Sequence, residues 1–307
     1  MTDNQQNGHR LLAEWARWGG NARVGSEDTY WHYTNAAGLL GILQSHELWA
    51  TSPIALNDTA EVKYGRELIS AELESAREHY APDDFRRISM LVSPYLGEWG
   101  NGNLFLLSSS IDGDLLNQWH HYASTGGFAI GIRADSRFAP RLLSDEEVTE
   151  TEPGDRYPVA VDGWVEVEYD IARQKELIRS FFNYERDAPH LEDSPRIARL
   201  MIAWADLYTL MCRLKDPRFS SEQEVRYLSS TKIGSHMEDF RLASGRISPF
   251  VHLKTAGTRG ELLSRLPIEQ IRIGPGNTAD AERVVRRAAA SNGYGHVSID
   301  RSTAPLR

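Results

Sequence analysis

The chain has 307 residues, of which 41% are hydrophobic, and this describes a globular protein that is long enough to bury a substantial core. The formal net charge of −9 argues against nonspecific binding to DNA or to membrane surfaces. The single cysteine, Cys212, excludes an internal disulfide and a zinc-finger framework. The sequence shows neither a basic start followed by an apolar segment nor a run of about 18 apolar residues, so we expect a cytoplasmic protein that does not span a membrane.

The first part of the chain predicts two separate elements. Residues 1–28 are expected to form an N-terminal extension with a short amphipathic helix over 10–18. His32 to Thr34 is typical of a short strand that runs directly into a helix, and Thr34 or Asn35 is expected to cap that helix by accepting its free backbone N–H groups. Because a helix N-terminus carries partial positive charge, this stretch predicts a binding position for an anion such as phosphate next to His32.

Helical and alternating patterns of apolar residues follow along the rest of the chain. Helices are predicted over 59–79, from 112 to 126, over 195–214 and from 278 to 292, and strands over 48–52, 104–108, 128–132, 159–161, 164–169, 222–228, 246–254, 268–273 and 296–300. Residues 134–157 are acidic and predict a solvated loop insertion. Because helices and short strands are mixed irregularly, the pattern favours a single α+β domain over 29–307, with short mixed or antiparallel sheets and surrounding helices.

Several familiar catalytic signatures are absent from the sequence. It contains no Walker-type phosphate loop, no G-x-G-x-x-G after a strand, no H-E-x-x-H and no G-x-S-x-G. His120 and His121 are neighbours on a predicted helix, where adjacent side chains point in different directions. We therefore expect no metal site.

Glu222, Glu224 and Arg226 are the clearest candidates for chemistry. Alternation along the predicted strand 222–228 places all three on one face. If that face meets solvent, the charges form an ordinary soluble sheet surface. If it lines a cleft, one carboxylate can stabilise a bound hydroxyl or a cationic transition state while the other removes a proton from an attacking group.

Two further clusters leave a structural and a functional interpretation open. His32 and Thr34 share one face of their strand and Tyr33 lies on the other, so His32 is either a structural hydrogen-bonding residue or a catalytic one. Trp119 and Tyr122 share one side of the predicted helix, where either ring can belong to the core or offer a flat surface to a planar ligand.

The order of these motifs resembles that of a bacterial family classified only as a domain of unknown function, family 2971, over roughly residues 30–300. The resemblance rests on His32-Tyr-Thr with Gly41-Ile-Leu, Leu48 with Ser52-Pro and Asn57-Asp58, the serine-ended strand 104–108, Trp119 with Tyr122-Ala, Gly126 and Gly131, Glu222-x-Glu-x-Arg226, and Ile273-Gly-Pro275. At Val225 that family usually has an aromatic residue. The family is in turn similar to ADP-ribosyltransferases, which implies an ADP-ribosyltransferase-like fold and NAD as substrate.

The same resemblance implies roles for individual residues. Glu224 would bind a ribose 2′-hydroxyl of NAD and stabilise positive charge as nicotinamide leaves, while Glu222 would orient or deprotonate the acceptor. His32 would hold a ribose, and Thr34 with the following helix start would lie near the pyrophosphate. Tyr122, or else Trp119, would stack on nicotinamide. The full set of implied NAD-binding residues is His32, Tyr33, Thr34, Ser108, Trp119, Tyr122 and Arg226.

Three functions follow from these expectations. The leading one is an NAD-dependent ADP-ribosyltransferase-like enzyme, such as a toxin or a phage-defence effector, that modifies a protein or a nucleic acid. The second is an NAD glycohydrolase with water as acceptor. The third is a non-catalytic module that senses a nucleotide or a nucleic acid, for which Arg213, Lys215 and Arg218 offer a modest basic patch. The acceptor and the oligomeric state stay open at this point.

Overall fold

The structure is a computed structural model that describes residues 28–53, 59–97, 104–122, 126–143, 163–187, 196–231, 237–243, 245–257 and 261–305. These residues form eleven strands, seven α-helices and one 3₁₀ helix. The strands are β1 (Thr29–Thr34), β2 (Leu48–Thr51), β3 (Leu104–Ser110), β4 (Phe128–Arg133), β5 (Phe138–Pro140), β6 (Gly163–Glu166), β7 (Glu224–Ser230), β8 (Glu238–Ala243), β9 (Arg246–Thr255), β10 (Ile268–Ile273) and β11 (Ser298–Arg301). The helices are α1 (Ala36–Ser45), α2 (Thr59–Ala76), α3 (Pro82–Gly97), α4 (Leu116–Tyr122), α5 (Ile171–Arg186), α6 (Arg196–Arg213), the 3₁₀ helix (Pro217–Glu222) and α7 (Ala281–Ser291).

The sheet branches at β3. One edge of β3 pairs with β7 along its whole length. The other edge is shared, because Trp31 of β1 pairs with Ser110 and Thr51 of β2 pairs with Leu106. A strand has only two hydrogen-bonding edges, and β7 occupies one of them, so β1 and β2 share the other. Each of the two strands pairs with that edge at one residue only, and away from these positions they diverge from one another.

The two branches differ in their strands but belong to one sheet. β1 continues into β4, β10 and β11, whereas β2 continues into β9, which also pairs with β5 and β8. β10 and β11 are parallel, and the other named strand pairs of the described residues are antiparallel. The protein is therefore a mixed α and β fold built on one sheet of mixed strands.

Both branches cover a common apolar core. Ile130 and Ile271 enter it from the first branch, Val251 enters it from the second, and Leu107 enters it from β3 between them. A second core lies among α2, α3, α5 and α6, where the buried residues include Ile69, Val92, Phe182 and Leu207. Because apolar burial is the main favourable term in folding, the common core holds the branches at a fixed distance and so fixes the opening between them.

The Tyr227 hydroxyl ties β7 to β5 inside the common core. It donates to the Phe138 carbonyl at 2.7 Å and accepts from the Phe138 N–H at 2.8 Å, and the side chain is fully buried. Tyr227→Phe leaves two buried backbone groups unpaired, so we expect the free energy of unfolding to fall by about 1–3 kcal/mol. Urea unfolding measures this loss. Tyr80→Phe, which removes a hydroxyl that donates to Asn183 near the surface, is the control, and equal unfolding midpoints for the two variants would contradict the prediction.

Most of the predicted elements are confirmed, with shifts of a few residues at their ends. The prediction for 268–273 matches β10, and that for 195–214 becomes α6. The predicted strand 222–228 is wrong at its start, because Glu222 ends the 3₁₀ helix and β7 begins only at Glu224. No range was predicted for α3, α5, β5 or β8, and β5 replaces part of a predicted loop.

Other predictions fall partly or wholly outside the described residues. The helix over 10–18, the strand over 159–161 and the later part of the acidic loop 134–157 all lie there. The described beginning of that loop contains β5, which pairs with β9. Among the helices of the described ranges, none combines the length and the apolar character that crossing a membrane requires.

Candidate functional site

A cleft with a volume of about 970 Å³ opens where β1 and β2 diverge from β3, and we refer to it as the branch cleft. This volume lies at the upper end of the range of about 300–1,000 Å³ typical of small-molecule sites. Residues from both branches, from α1 and from the end of the 3₁₀ helix line it, among them His32, Thr34, Trp49, Ser108, Lys215 and Glu224. The divergence of the strands, together with the fixed core behind them, therefore creates a preformed concave site.

Glu224 lines the branch cleft, and two cations hold its carboxylate. Arg226 grips the carboxylate with both Nε and Nη2, each at 2.8 Å, and Lys215 Nζ donates to Oε2 at 2.9 Å. The backbone N–H of Glu224 donates to the Tyr169 hydroxyl at 3.0 Å. Burial alone would raise the pKa of Glu224, but Arg226 and Lys215 outweigh it and lower the pKa to about 2. Glu224 is therefore a buried, permanently ionised carboxylate at neutral pH.

Lys215 joins the two glutamates that the sequence singles out. Its Nζ lies 2.6 Å from Glu222 Oε2 as well as 2.9 Å from Glu224 Oε2. The side chains of Lys215 and Glu224 are only 4% and 6% exposed, whereas that of Glu222 is 18% exposed. The alternative of a solvent-facing charged surface thus does not hold for Glu224, and Glu222 is the more accessible carboxylate of the two.

The two carboxylates lie close together, but not because they alternate along one strand, as the sequence predicted. Gln223, between them, has a left-handed backbone with φ of 47°, so it turns the chain from the 3₁₀ helix into β7. Glu222 is therefore not on the strand. The two carboxylates meet because both bind Lys215, which follows α6.

His32, on β1, lines the branch cleft and contacts β3. Its Nδ1 lies 3.0 Å from the carbonyl oxygen of Ser108, a residue between the two points where β1 and β2 pair with β3. A carbonyl only accepts, so Nδ1 carries the proton and Nε2 of the neutral ring is left as an acceptor. Burial lowers the pKa of His32 against the effect of the Ser108 carbonyl, and Arg241 lowers it further, so the imidazole is neutral at pH 7.

The start of α1 borders the cleft beside His32. Asn35 caps the helix, since its Oδ1 accepts from the N–H of Gly38 at 2.9 Å, which decides between the two capping residues that the sequence offered. Thr34, Ala37 and Gly38 all line the cleft. A side chain at Gly38 would collide with Thr34 Oγ1, so the backbone passes close to the strand end here. The positive end of the helix therefore meets the cleft, as the sequence predicted.

Tyr33 and Trp119 are tied together on the opposite face of β1 from His32. The Tyr33 hydroxyl donates to the carbonyl of Asp112 at 3.0 Å and accepts from the N–H of Leu115 at 2.9 Å. Trp119 packs edge to face against Tyr33, donates its Nε1–H to Asp114 at 2.9 Å and is 2% exposed. The structure thus places Trp119 in an apolar cluster and not in the lining of the branch cleft.

Of the last two predicted binding residues, Arg226 lies outside the cleft lining and the side chain of Tyr122 is not among the described residues. The Arg226 guanidinium binds the Glu224 carboxylate, and its Nη1 donates to the carbonyl of Cys212 at 2.8 Å. Arg226 therefore holds the carboxylate in position without lining the cleft itself. The backbone of Tyr122 ends α4, and its side chain lies outside the described residues. The structure therefore brings His32, Tyr33, Thr34, Ser108 and the two glutamates into the lining of one cleft.

Three residues of the branch cleft were missed or misjudged at the level of sequence. Trp49 is 45% exposed although Leu48 and Ala50 beside it are fully buried. Arg241 reaches the cleft from β8. The sequence suggests Lys215 only as part of a basic patch, whereas in the structure it binds both glutamates in the cleft. Leu48, Trp49 and Ala50 are all apolar, so no alternation in the sequence distinguishes the outward-facing tryptophan. No group of three or more metal-ligating side chains occurs in the described ranges.

Comparison with known proteins gives one match. A protein-family model described as Protein of unknown function (DUF2971) matches residues 118–227. The matched segment includes Trp119, both cleft glutamates and Arg226, and it supports the resemblance to that family of unknown function. Searches among curated proteins and among solved structures give no match.

Proposed function

We propose that the protein is an NAD-dependent ADP-ribosyltransferase-like enzyme whose active site is the branch cleft. One observation carries this proposal: an ionised glutamate, Glu224, lines the same cleft as a neutral histidine, His32, and the N-terminus of α1. A helix N-terminus favours a diphosphate and an ionised carboxylate stabilises a cationic sugar, so these groups suit the binding and cleavage of a ribosyl diphosphate. The acceptor is proposed to be a protein or a nucleic acid, as expected of a toxin or a phage-defence effector.

Each of these groups has a distinct task in the proposed binding of NAD. The backbone N–H groups at the start of α1 suit the diphosphate, because a helix N-terminus favours anions. His32 Nε2 is an acceptor for a ribose hydroxyl. Glu224 already accepts three hydrogen bonds, and since a carboxylate accepts about four, one position is left for the 2′-hydroxyl of the ribose that reacts.

In the proposed reaction, the bond between ribose C1′ and the nicotinamide nitrogen breaks, and its electron pair leaves with neutral nicotinamide. Positive charge then develops on the ribose, and the fixed negative charge of Glu224 stabilises this state more than it stabilises the bound substrate. A nucleophilic atom of the acceptor forms the new bond to C1′. Glu222, the more exposed carboxylate, takes the proton that this atom releases.

The extensive pairing of Glu224 favours a second candidate, a module that binds a nucleotide without turnover. Lys215 and Arg226 balance the charges of Glu222 and Glu224, which is also how a purely structural network is built. Such a module would bind the ligand through the same His32 and α1 positions. Hydrolysis of NAD with water as acceptor is the third alternative, and its chemistry is that of the proposed enzyme up to the final attack.

Incubation of the purified protein with NAD labelled on the adenylate side, with and without cell lysate, separates these functions. We expect label on macromolecules with wild type and none with Glu224→Gln. Free labelled ADP-ribose alone would assign the glycohydrolase. Intact NAD from folded wild-type protein, together with measurable NAD binding, would assign the non-catalytic module and overturn the proposed enzyme.

A further inference from the structure

Trp49 is an exposed aromatic residue in a concave site. It lines the branch cleft with 45% of its surface exposed, on a strand whose neighbouring positions are fully buried. Large aromatic side chains lose favourable burial when they remain exposed, and they are enriched where a protein binds a partner or ligand. The ring is therefore a candidate platform for a planar group.

Arg241 and Phe250 pack against the Trp49 ring. Its guanidinium carbon lies 5.3 Å from the ring centroid of Trp49 and 5.6 Å from that of Phe250, and the two rings are 4.6 Å apart. Arg241 Nη2 donates to Thr51 Oγ1 at 2.8 Å, which fixes the guanidinium in place. Its buried Nε has no hydrogen-bond partner among the described residues, and since buried polar groups are rarely left unpaired, this N–H is available to an acceptor on a ligand.

The sheet register places Trp49 and Glu224 on the same face. Thr51 pairs with Leu106, and Glu224 pairs with Ser110 across the other edge of β3. Trp49 is two residues from Thr51 and Ser110 is four residues from Leu106, so alternation keeps all of them on one face. Trp49 on β2 and Glu224 on β7 are separated by β3, which is two strand spacings, and they are offset by a few residues along the strands. The distance between them is therefore on the order of 10–15 Å.

We propose that Trp49 and Arg241 form a subsite that stacks the adenine ring of the substrate, at the end of the branch cleft opposite to Glu224. This inference rests on the proposed function, in which Glu224 marks the end where the nicotinamide ribose reacts. The separation of the two residues then suits the second planar group of the same dinucleotide. Tryptophan supplies the stacking surface, and the adjacent guanidinium adds a charged edge suited to the phosphate that follows adenosine.

Calorimetric titration with AMP and with nicotinamide mononucleotide tests the subsite separately from catalysis. Trp49→Ala is expected to weaken AMP binding by about 5- to 150-fold, the loss that corresponds to one base–aromatic stack, and to leave binding of nicotinamide mononucleotide within about twofold. Trp49→Phe is expected to restore most of the AMP affinity, because a flat ring is retained. Phe240→Ala is the matched control, since Phe240 is an aromatic residue on β8 that is exposed like Trp49, at 60% against 45%, but lies outside the cleft lining.

Three results would overturn the adenine subsite. One is AMP affinity that is equal in Trp49→Ala and wild type, and another is loss of nicotinamide mononucleotide binding in place of AMP binding. The third is failure of folded wild-type protein to bind AMP. Cleavage of labelled NAD, measured on the same preparations, decides the proposed function independently, so cleavage with an unchanged Trp49→Ala titration would reject the subsite alone.

Discussion

Replacing Glu224 by glutamine is expected to lower the rate of NAD cleavage by roughly 100- to 1000-fold while changing NAD binding little. Glutamine keeps the shape of the side chain but removes its negative charge. In the proposed mechanism that charge acts on a state in which the ribose has become cationic, so its loss affects kcat far more than ground-state affinity. Steady-state kinetics with NAD and calorimetric binding to the same preparations measure the two effects separately.

The position of Glu224 inside an ion-pair network requires a control for folding. The substitution leaves Lys215 and Arg226 facing a neutral amide, which itself lowers stability. Thermal unfolding must therefore show that the variant is folded at the assay temperature. Glu269→Gln, at an exposed position on β10, is the matched control and should retain wild-type kcat. An unchanged kcat in folded Glu224→Gln would remove Glu224 from the proposed mechanism.

Local patterns along the sequence were sufficient for most of the fold. Alternation in Phe128–Arg133 and the long helical stripe of α6 are set by neighbouring residues, so both could be predicted. The branching of the sheet could not, because the pairing of Trp31 and Thr51 with one edge of β3 depends on contacts between distant parts of the chain. β8 was missed for a related reason, since its exposed and half-buried positions alternate without a buried face.

The candidate site could likewise be predicted only where it depends on neighbouring residues. Glu222 and Glu224 were found as a pair, but period-two alternation wrongly placed Glu222 on the strand, because a left-handed turn at Gln223 is not visible in such a pattern. Lys215 could not be recognised as their shared partner, since its position depends on how α6 ends against β7. Trp119 has the residue type of a stacking platform, yet its burial against Tyr33 is a tertiary property.

A second titratable group of unusual character lies in the helical core, away from the branch cleft. Glu185, on α5, is 6% exposed, and its Oε1 has no hydrogen-bond partner among the described residues. Burial first, and then the charge of Asp206 on α6, raise the pKa of Glu185 to about 8. In the unfolded chain the same carboxyl ionises near the ordinary pKa of a glutamate, 4.5.

This difference makes the stability of the protein depend on pH. Between about 4.5 and about 8 the folded state holds a proton on Glu185 that the unfolded state has released, so stability falls as pH rises through this window. Below it both states are protonated and the penalty is absent. Above it the penalty is complete and amounts to several kcal/mol, since each pKa unit corresponds to about 1.36 kcal/mol.

Glu185→Gln is expected to remove most of this dependence, because glutamine has the shape of the protonated acid and cannot ionise. The variant should unfold at about the wild-type urea concentration at pH 4.5 and be more stable than wild type by several kcal/mol at pH 8.5. Glu176→Gln, on the solvent-exposed side of the same helix, should keep the wild-type pH slope. Parallel stability curves for Glu185→Gln and wild type from pH 4.5 to 8.5 would show that Glu185 ionises normally in the folded protein.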